Sequence, residues 1–229
     1  ITETVGEQKL AQWVSNPALE GFTAPKLIWV RDNEPDVYDR IHRVMLPKDY
    51  IRFLLTGEYA MEVSDAAGTL LFDVQNRRWS SEIIDALSLP SEAMPPVFES
   101  IDVCGAISAK VASATGLKPG TPVVAGGADN TCGAVGTGIV EPGRVLASLG
   151  TSGVVFAHTD DVKVDPEMRV HTFCHSVPGK WYLMGVTLFA GGSFQWFRNN
   201  LGQLESSTAE LVGLDPYELL TMEADRAPT

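Results

Sequence analysis

The sequence predicts an α/β fold built in two parts, and three observations predict it. Apolar residues in the first 115 positions recur mainly at helical spacing, while positions 144–184 hold short β-like runs separated by Gly or Pro. Between the two textures stands a single apolar strand that runs into glycines. The third observation is length: 229 residues amount to about one and a half domains at about 150 residues per domain.

Taken in order, Leu27, Ile28 and Val30 lead a helix up to a break at Pro35. Pro47 sits where a first helical turn tolerates a missing N–H; Ile51, Leu54 and Leu55 then fall on one face, and Gly57 ends the helix in a left-handed conformation. Ser64 to Gly68 reads as a polar loop of small residues, Ser80 to Leu87 as a helix, and Pro90 to Pro96 as a turn. Ile107 to Thr115 is a short Ala-rich helix before the turn at Gly116 to Gly120. Pro122 to Ala125 is the apolar strand, and its side-chain sizes make Cys132 to Gly138 a tightly packed helix. Arg144 to Ser148, Val154 to Ala157, Val170 to Cys174 and Trp181 to Met184 read as four strands of an antiparallel meander. Phe194, Phe197, Leu201 and Leu204 space as one helix opened by Ala190 to Ser193, and the economical domain boundary lies at 138–143. No repeat of solenoid length is present.

Composition narrows the function classes. With 17 Lys and Arg against 29 Asp and Glu, the formal net charge is −12, so no broad positive field exists to gather nucleic acid or an anionic membrane. A hydrophobic content of 45% with 20% charged residues describes a globular chain. Cys104, Cys132 and Cys174 are odd in number and lack CxxC spacing, which predicts small apolar fillers in a reducing cytoplasm. No apolar run approaches the span of a membrane helix, and Glu3 and Glu7 sit where a signal peptide would be basic and then apolar. Without an initiator Met, and with a polar stretch from Ala224 to Thr229, both ends read as cut.

Three glycine-rich turns, Gly126 to Asn130, Gly150 to Gly153 and Gly191 to Ser193, are the candidate sites. Glycine lets backbone amides approach a ligand, and successive N–H groups make anion-binding concavities, so a phosphate ligand fits them; each also reads as an ordinary tight turn. The standard nucleotide motifs fail. Gly136 and Gly138 are followed by Glu141 where a dinucleotide fingerprint needs glycine, and Gly179-Lys180 has Cys174 where a phosphate loop needs glycine. Ser152 is no nucleophile elbow, since Val154 stands two residues on. His171, Cys174 and His175 alternate along a strand and favour packing over a metal site, and Asp160, Asp161 and Asp165 read as a solvated acidic turn. Asp129, at the exit of the apolar strand, occupies a position usually half buried; it is either a functional carboxylate or a helix cap.

The run Gly126-Gly127-Ala128-Asp129-Asn130-Thr131-Cys132-Gly133-Ala134-Val135-Gly136 resembles the signature of the FGGY carbohydrate kinases, most closely its xylulokinase members, where an Asp-Asn pair follows the glycines. Gly21 to Leu27, Leu46 to Tyr50, Leu55 to Gly57 and Ser64 to Thr69 resemble the same pattern in the same order. Ser148 to Gly153 is similar to the second phosphate-binding motif of the superfamily that includes actin and hexokinase. Nearly the whole chain is covered, but the Asp-x-Gly-Thr hairpin and the Met-His-Gly segment of the family do not occur in it.

This resemblance implies an α/β, actin/hexokinase-like (ribonuclease H-like) two-lobed sugar kinase fold, present in part. Residues 1–138 would be the C-terminal portion of the first, sugar-binding domain and 139–229 the N-terminal portion of the second, nucleotide-binding domain. It implies phosphorylation of a ketopentose by ATP with Mg2+, D-xylulose to D-xylulose 5-phosphate, in the cytoplasm, with room for a homodimer and no nucleic-acid or membrane partner. Asp129 would be the general base, Asn130 would help to orient the sugar, and Gly150, Thr151, Ser152, Gly191 and Gln195 would line the nucleotide site, with no protein metal ligand. Lys48 and Asp65 are expected to be structural. The alternatives are another FGGY kinase, of glycerol or ribulose type, and a non-catalytic sugar- or nucleotide-binding fragment; the 229 residues alone are expected to be inactive.

Overall fold

A computed structural model describes residues 1–227. In chain order the elements are α1 (Thr2–Val5), α2 (Glu7–Val14), α3 (Thr23–Asn33), α4 (Pro35–Tyr38), α5 (Pro47–Thr56), β1 (Met61–Glu62), α6 (Val63–Ala67), β2 (Phe72–Asp73), β3 (Arg78–Trp79) and α7 (Ser81–Ala86). There follow β4 (Val97–Phe98), β5 (Val103–Ala106), α8 (Ala109–Thr115), β6 (Pro122–Val124), α9 (Asp129–Gly136), β7 (Val145–Leu149), β8 (Gly153–Thr159), β9 (His171–Cys174) and β10 (Trp181–Thr187). α10 (Gly191–Asn200), α11 (Gln203–Val212) and α12 (Pro216–Asp225) complete the order. No helix among the described residues is long and apolar enough to cross a membrane.

The chain divides into two compact units, one of residues 1–146 and 156–185, the other of 147–155 and 186 onward. The first unit holds the main core. Leu10 and Val14, one helical turn apart on α2, bury with Met61, Leu70, Leu71 and Phe72, all at most 1% exposed. Phe156 stacks on Tyr182 at 4.1 Å between ring centroids within the same cluster. β1 pairs with β4 in parallel, β2 with β3 as a hairpin placing Phe72 opposite Trp79, and β5 with β6 antiparallel with an irregularity between Val103 and Gly105.

Two sequence expectations for this unit are corrected. On α5 the buried residues are Asp49 and Arg52, at 1% and 5% exposure, while Ile51 and Leu54 are 56% and 50% exposed. The helix buries its charged stripe because Arg52 has partners inside: Asp49 Oδ1 at 3.0 Å and the carbonyls of Ala60 and Ala125. Ser64 to Gly68 is not a loop but begins as α6, because Glu62 caps it from inside by accepting the Ser64 and Asp65 amides, and Val63, Ala66 and Ala67 supply an apolar buried face.

The four strands expected as a meander instead order β7-β8-β10-β9. β9 and β10 form the expected antiparallel pair, Cys174 opposite Trp181, but the long segment 160–170 between β8 and β9 releases β9 to the edge, so β10 takes the place beside β8.

The second unit corrects the expected single helix through Leu204. α10 ends at Asn200, and Gly202 lies so close to the backbone of Arg198 that a Cβ there would sit 3.1 Å from its Cα and carbonyl oxygen. α11 and α12 follow where patterning indicated no helix; Gly213 in the left-handed region (φ 73°), the Asp215 side chain on the Tyr217 amide and Pro216 at the first turn are the signals that mark them. α12 thus takes in Ala224 and Asp225 of the expected polar tail, and Pro228 and Thr229 lie outside the described residues.

Replacing Arg52 tests the charged stripe. Arg52→Ala strands the buried Asp49 carboxylate and two carbonyls, and is expected to lower unfolding free energy in urea by about 3–5 kcal/mol. Ile51→Ala on the exposed side of the same helix should cost less than about 0.5 kcal/mol.

Candidate active site

β6 delivers the chain into Gly126, Gly127 and Ala128, and Ala128 caps α9, whose first residue is Asp129. Asp129 is exposed rather than half buried, and its Oδ1 accepts the Asn130 amide at 2.7 Å, so it does not serve as the helix cap. The expectation that Cys132 to Gly138 pack tightly is also corrected: on α9 only Thr131 and Ala134 are buried. Cys104 and Cys174 are buried as expected, but Cys132 is exposed. Burial pushes the Cys174 thiol up to about 12.

The turn before Asp129 is tied at each residue. Arg52 donates to the Ala125 carbonyl, the Gly126 amide donates to the Ser100 carbonyl at 3.0 Å, and the Ala128 amide donates to Ser64 Oγ at 2.9 Å. Gly127 is required sterically. A Cβ there would stand 2.4 Å from Ser176 Oγ, 3.1 Å from Cys132 Sγ and 3.2 Å from Thr131 Oγ1. Thr131 Oγ1 in turn donates to the Ala128 carbonyl at 2.8 Å and lies 2.5 Å from Ser176 Oγ.

Beneath the turn lies a charge cluster. Lys48 Nζ reaches Asp49 at 3.1 Å, Glu62 at 3.3 Å and Asp65 at 2.9 Å. Burial alone would push the Lys48 ammonium down, but the surrounding carboxylates of Glu62, Asp65 and Asp49 outweigh it and hold its pKa above the usual value. Burial raises the Asp65 carboxyl, with the Lys48 charge opposing. The sequence assigns no site role to Glu62, Ser64, Ser100, Thr131 or Ser176; Glu62 two residues before Ser64 is the one local signal, as a helix-capping acid.

In the second unit, the Gly150 to Gly153 turn joins β7 to β8 and meets the start of α10. The Gly191 amide donates to the Gly150 carbonyl at 3.0 Å, and the Ala190 and Gly192 amides to the Thr151 carbonyl at 2.7 and 3.2 Å. These amides bind turn to helix. Gly191 can be nothing larger, since its Cβ would sit 2.5 Å from the Gly150 carbonyl oxygen, whereas a Cβ at Gly150 has its nearest neighbour, Ser152 O, at 3.8 Å. Gly150, Thr151, Ser152 and Gln195 are exposed, Gln195 on α10. The structure therefore brings Gly150, Thr151 and Gly191 together in one unit and Asp129 and Asn130 together in the other.

His171, Cys174 and His175 face separate partners. His171 Nδ1 lies 3.1 Å from Asn16 Oδ1, the Cys174 thiol points to the Val74 carbonyl, and His175 Nε2 lies 3.1 Å from the Ile139 carbonyl while its Nδ1 accepts the Val177 amide. Burial and the neighbouring His158 push His175 down to about 4. Among the described residues no group of three or more His, Cys, Asp or Glu side chains is placed to hold a metal ion.

Residues 1–136 match the profile of the FGGY family of carbohydrate kinases, N-terminal domain. The chain is 42% identical over 215 residues to a xylulose kinase of Bacillus subtilis (strain 168), covering 94% of this chain and 43% of that protein. It is 46% identical over 216 residues to a xylulose kinase of Klebsiella pneumoniae, covering 94% of this chain and 42% of that one. The crystal structure of a xylulose kinase from Rhodospirillum rubrum superposes with a TM-score of 0.87 at 28% identity, over 99% of this chain and 45% of that one. The chain thus spans less than half the length of these relatives, and over that span it has the α/β, actin/hexokinase-like sugar kinase fold.

The close approach at Gly127 generates a test. Gly127→Ala is expected to lower the melting temperature by several degrees, and the double variant Gly127→Ala with Ser176→Gly, which removes the clashing hydroxyl, should recover more than half of that loss in thermal unfolding.

Proposed function

The chain belongs to the FGGY family of carbohydrate kinases, and on that premise we propose that the protein transfers the γ-phosphoryl group of ATP to D-xylulose, giving D-xylulose 5-phosphate and ADP. One observation carries this reading: an exposed carboxylate, Asp129, stands at the tip of a glycine turn held by Arg52, Ser100 and Ser64. A carboxylate on a fixed backbone can take the proton of a sugar hydroxyl while its oxygen attacks phosphorus. The new O–P bond forms as the bond to the β-phosphate oxygen breaks, the electron pair leaves with ADP, and the proton rests on Asp129. Asn130, next on the same helix, orients the sugar.

The nucleotide falls to the second turn. Thr151 and Ser152 offer exposed hydroxyls, Gly150 leaves open space for phosphate to approach the backbone, and Gly191 and Gln195 flank it on α10. Magnesium, which would neutralise phosphate charge, is assigned to the nucleotide in this reading. Residues 1–138 are read as the later part of the sugar-binding domain and 139–229 as the beginning of the nucleotide-binding domain, a division supported by the family match ending at residue 136. The unpaired cysteines suit a cytoplasmic site of action, and self-association as a homodimer belongs to the same reading.

Steady-state kinetics on the whole protein test the base. Asp129→Asn should lower kcat by about 10²–10⁴-fold while the KM for ATP changes little; turnover within a few-fold of the parent would sink the assignment. Calorimetry tests the second turn. Gly150→Val, whose Cβ would meet nothing closer than the Ser152 carbonyl oxygen at 3.8 Å, should weaken ADP binding at least tenfold more than D-xylulose binding, and the reverse order would give the turn to the sugar.

A further inference from the structure

We propose that Glu62 is a positioning residue for Asp129, acting through Ser64 and Ser100 on the turn that carries the base. The proposal rests on the reading of Asp129 as the general base and extends it to a group that touches neither substrate. Glu62 is completely buried. Its carboxylate accepts the Ser64 amide at 2.7 Å and the Asp65 amide at 2.8 Å, the Ser64 hydroxyl at 2.8 Å and the Ser100 hydroxyl at 3.0 Å, and it pairs with Lys48 at 3.3 Å.

Capping α6 needs only the two amides, and a shorter Ser or Asp supplies that contact at most helix starts. What the longer, charged side chain adds is direction. An ionised carboxylate only accepts, so the single proton of the Ser64 hydroxyl turns toward it, and Ser64 is left to present a lone pair to the Ala128 amide at 2.9 Å. Ser100 is held by its hydroxyl in the same way, and its carbonyl takes the Gly126 amide at 3.0 Å. The two contacts bracket Gly127. Thr131 then closes the Ala128 carbonyl at 2.8 Å, so Ala128, the residue before Asp129, is held at both its amide and its carbonyl.

Asp129 itself has little else to hold it. Among the described residues its side chain makes one hydrogen bond, to the amide of the next residue. Its position is therefore inherited from the backbone, and a displacement of about 1 Å in a catalytic group costs on the order of a hundredfold in rate.

The test uses Ser64→Ala, Ser100→Ala and Asp129→Asn in the whole protein, with ATP and D-xylulose as substrates. Ser64→Ala should lower kcat by about 10- to 100-fold with the KM for ATP within about twofold of the parent. Combined with Asp129→Asn it should cause no further loss, because no base is left to aim. Ser100→Ala should show the same non-additivity with a smaller loss, and carries the test should Ser64→Ala fail to fold. Amide hydrogen exchange on the whole protein gives a readout free of turnover: Ala128 should exchange at least tenfold faster in Ser64→Ala, with Leu70 and Phe72 unchanged. A kcat within twofold of the parent, an equal loss in the Asp129→Asn background, or unchanged Ala128 exchange would each overturn the proposal. Failure of the base reading is distinct, since it shows as near-parental turnover in Asp129→Asn alone.

Discussion

A carboxylate with no access to water, Glu62, sits among donors from three parts of the chain: α5 through Lys48, α6 through two amides and the Ser64 hydroxyl, and the loop after β4 through Ser100. Burying such a charge is tolerable only when it is paired and hydrogen-bonded. Each of these segments is consequently locked into one arrangement with the others. Asp49 and Arg52 extend the same logic along α5, with Asp49 capping the helix start at Leu46 and Arg52 reaching the carbonyls of Ala60 and Ala125. The apolar core around Phe72 and Leu10 supplies the bulk of the burial, but it is the polar cluster that sets where the strand into Gly126 must end.

That arrangement explains how a flexible-looking glycine turn can hold Asp129 in one place, as the proposed base requires. Gly126 and Gly127 give the chain freedom, and the cluster removes it again through hydrogen bonds to the residues on either side. Gly127 is small because Ser176 approaches it, not because the turn is loose. The exposure of Asp129 then follows: its side chain projects from a fixed frame, as the proposed proton acceptor would need to.

The second glycine turn works by a different economy. Its carbonyls, at Gly150 and Thr151, consume the first amides of α10, so the usual anion-binding end of a helix is spent on attaching the turn. What remains free around Gly150 and Thr151 is open space and hydroxyl groups. A phosphate there would meet a surface whose shape is set by Gly191, where a Cβ would strike the Gly150 carbonyl.

Local chemistry settled much of this protein in advance. Pro47 and Gly57 bound α5, Ser80 and Ser108 cap α7 and α8, and the glycines around Asp129 and Gly150 mark both turns, because caps, prolines and left-handed glycines act within a few residues of chain. What needed tertiary structure depended on partners distant in sequence. The face of α5 that turns inward is the charged one, which no helical period could reveal, since its partners lie at Ala60, Glu62 and Ala125. The order β7-β8-β10-β9 was hidden because strand neighbours are chosen by pairing and connection length, not by each strand's own residues. The roles of Ser64, Ser100 and Ser176 were hidden for the same reason: a serine hydroxyl acquires its meaning from the donor or acceptor that folding sets beside it.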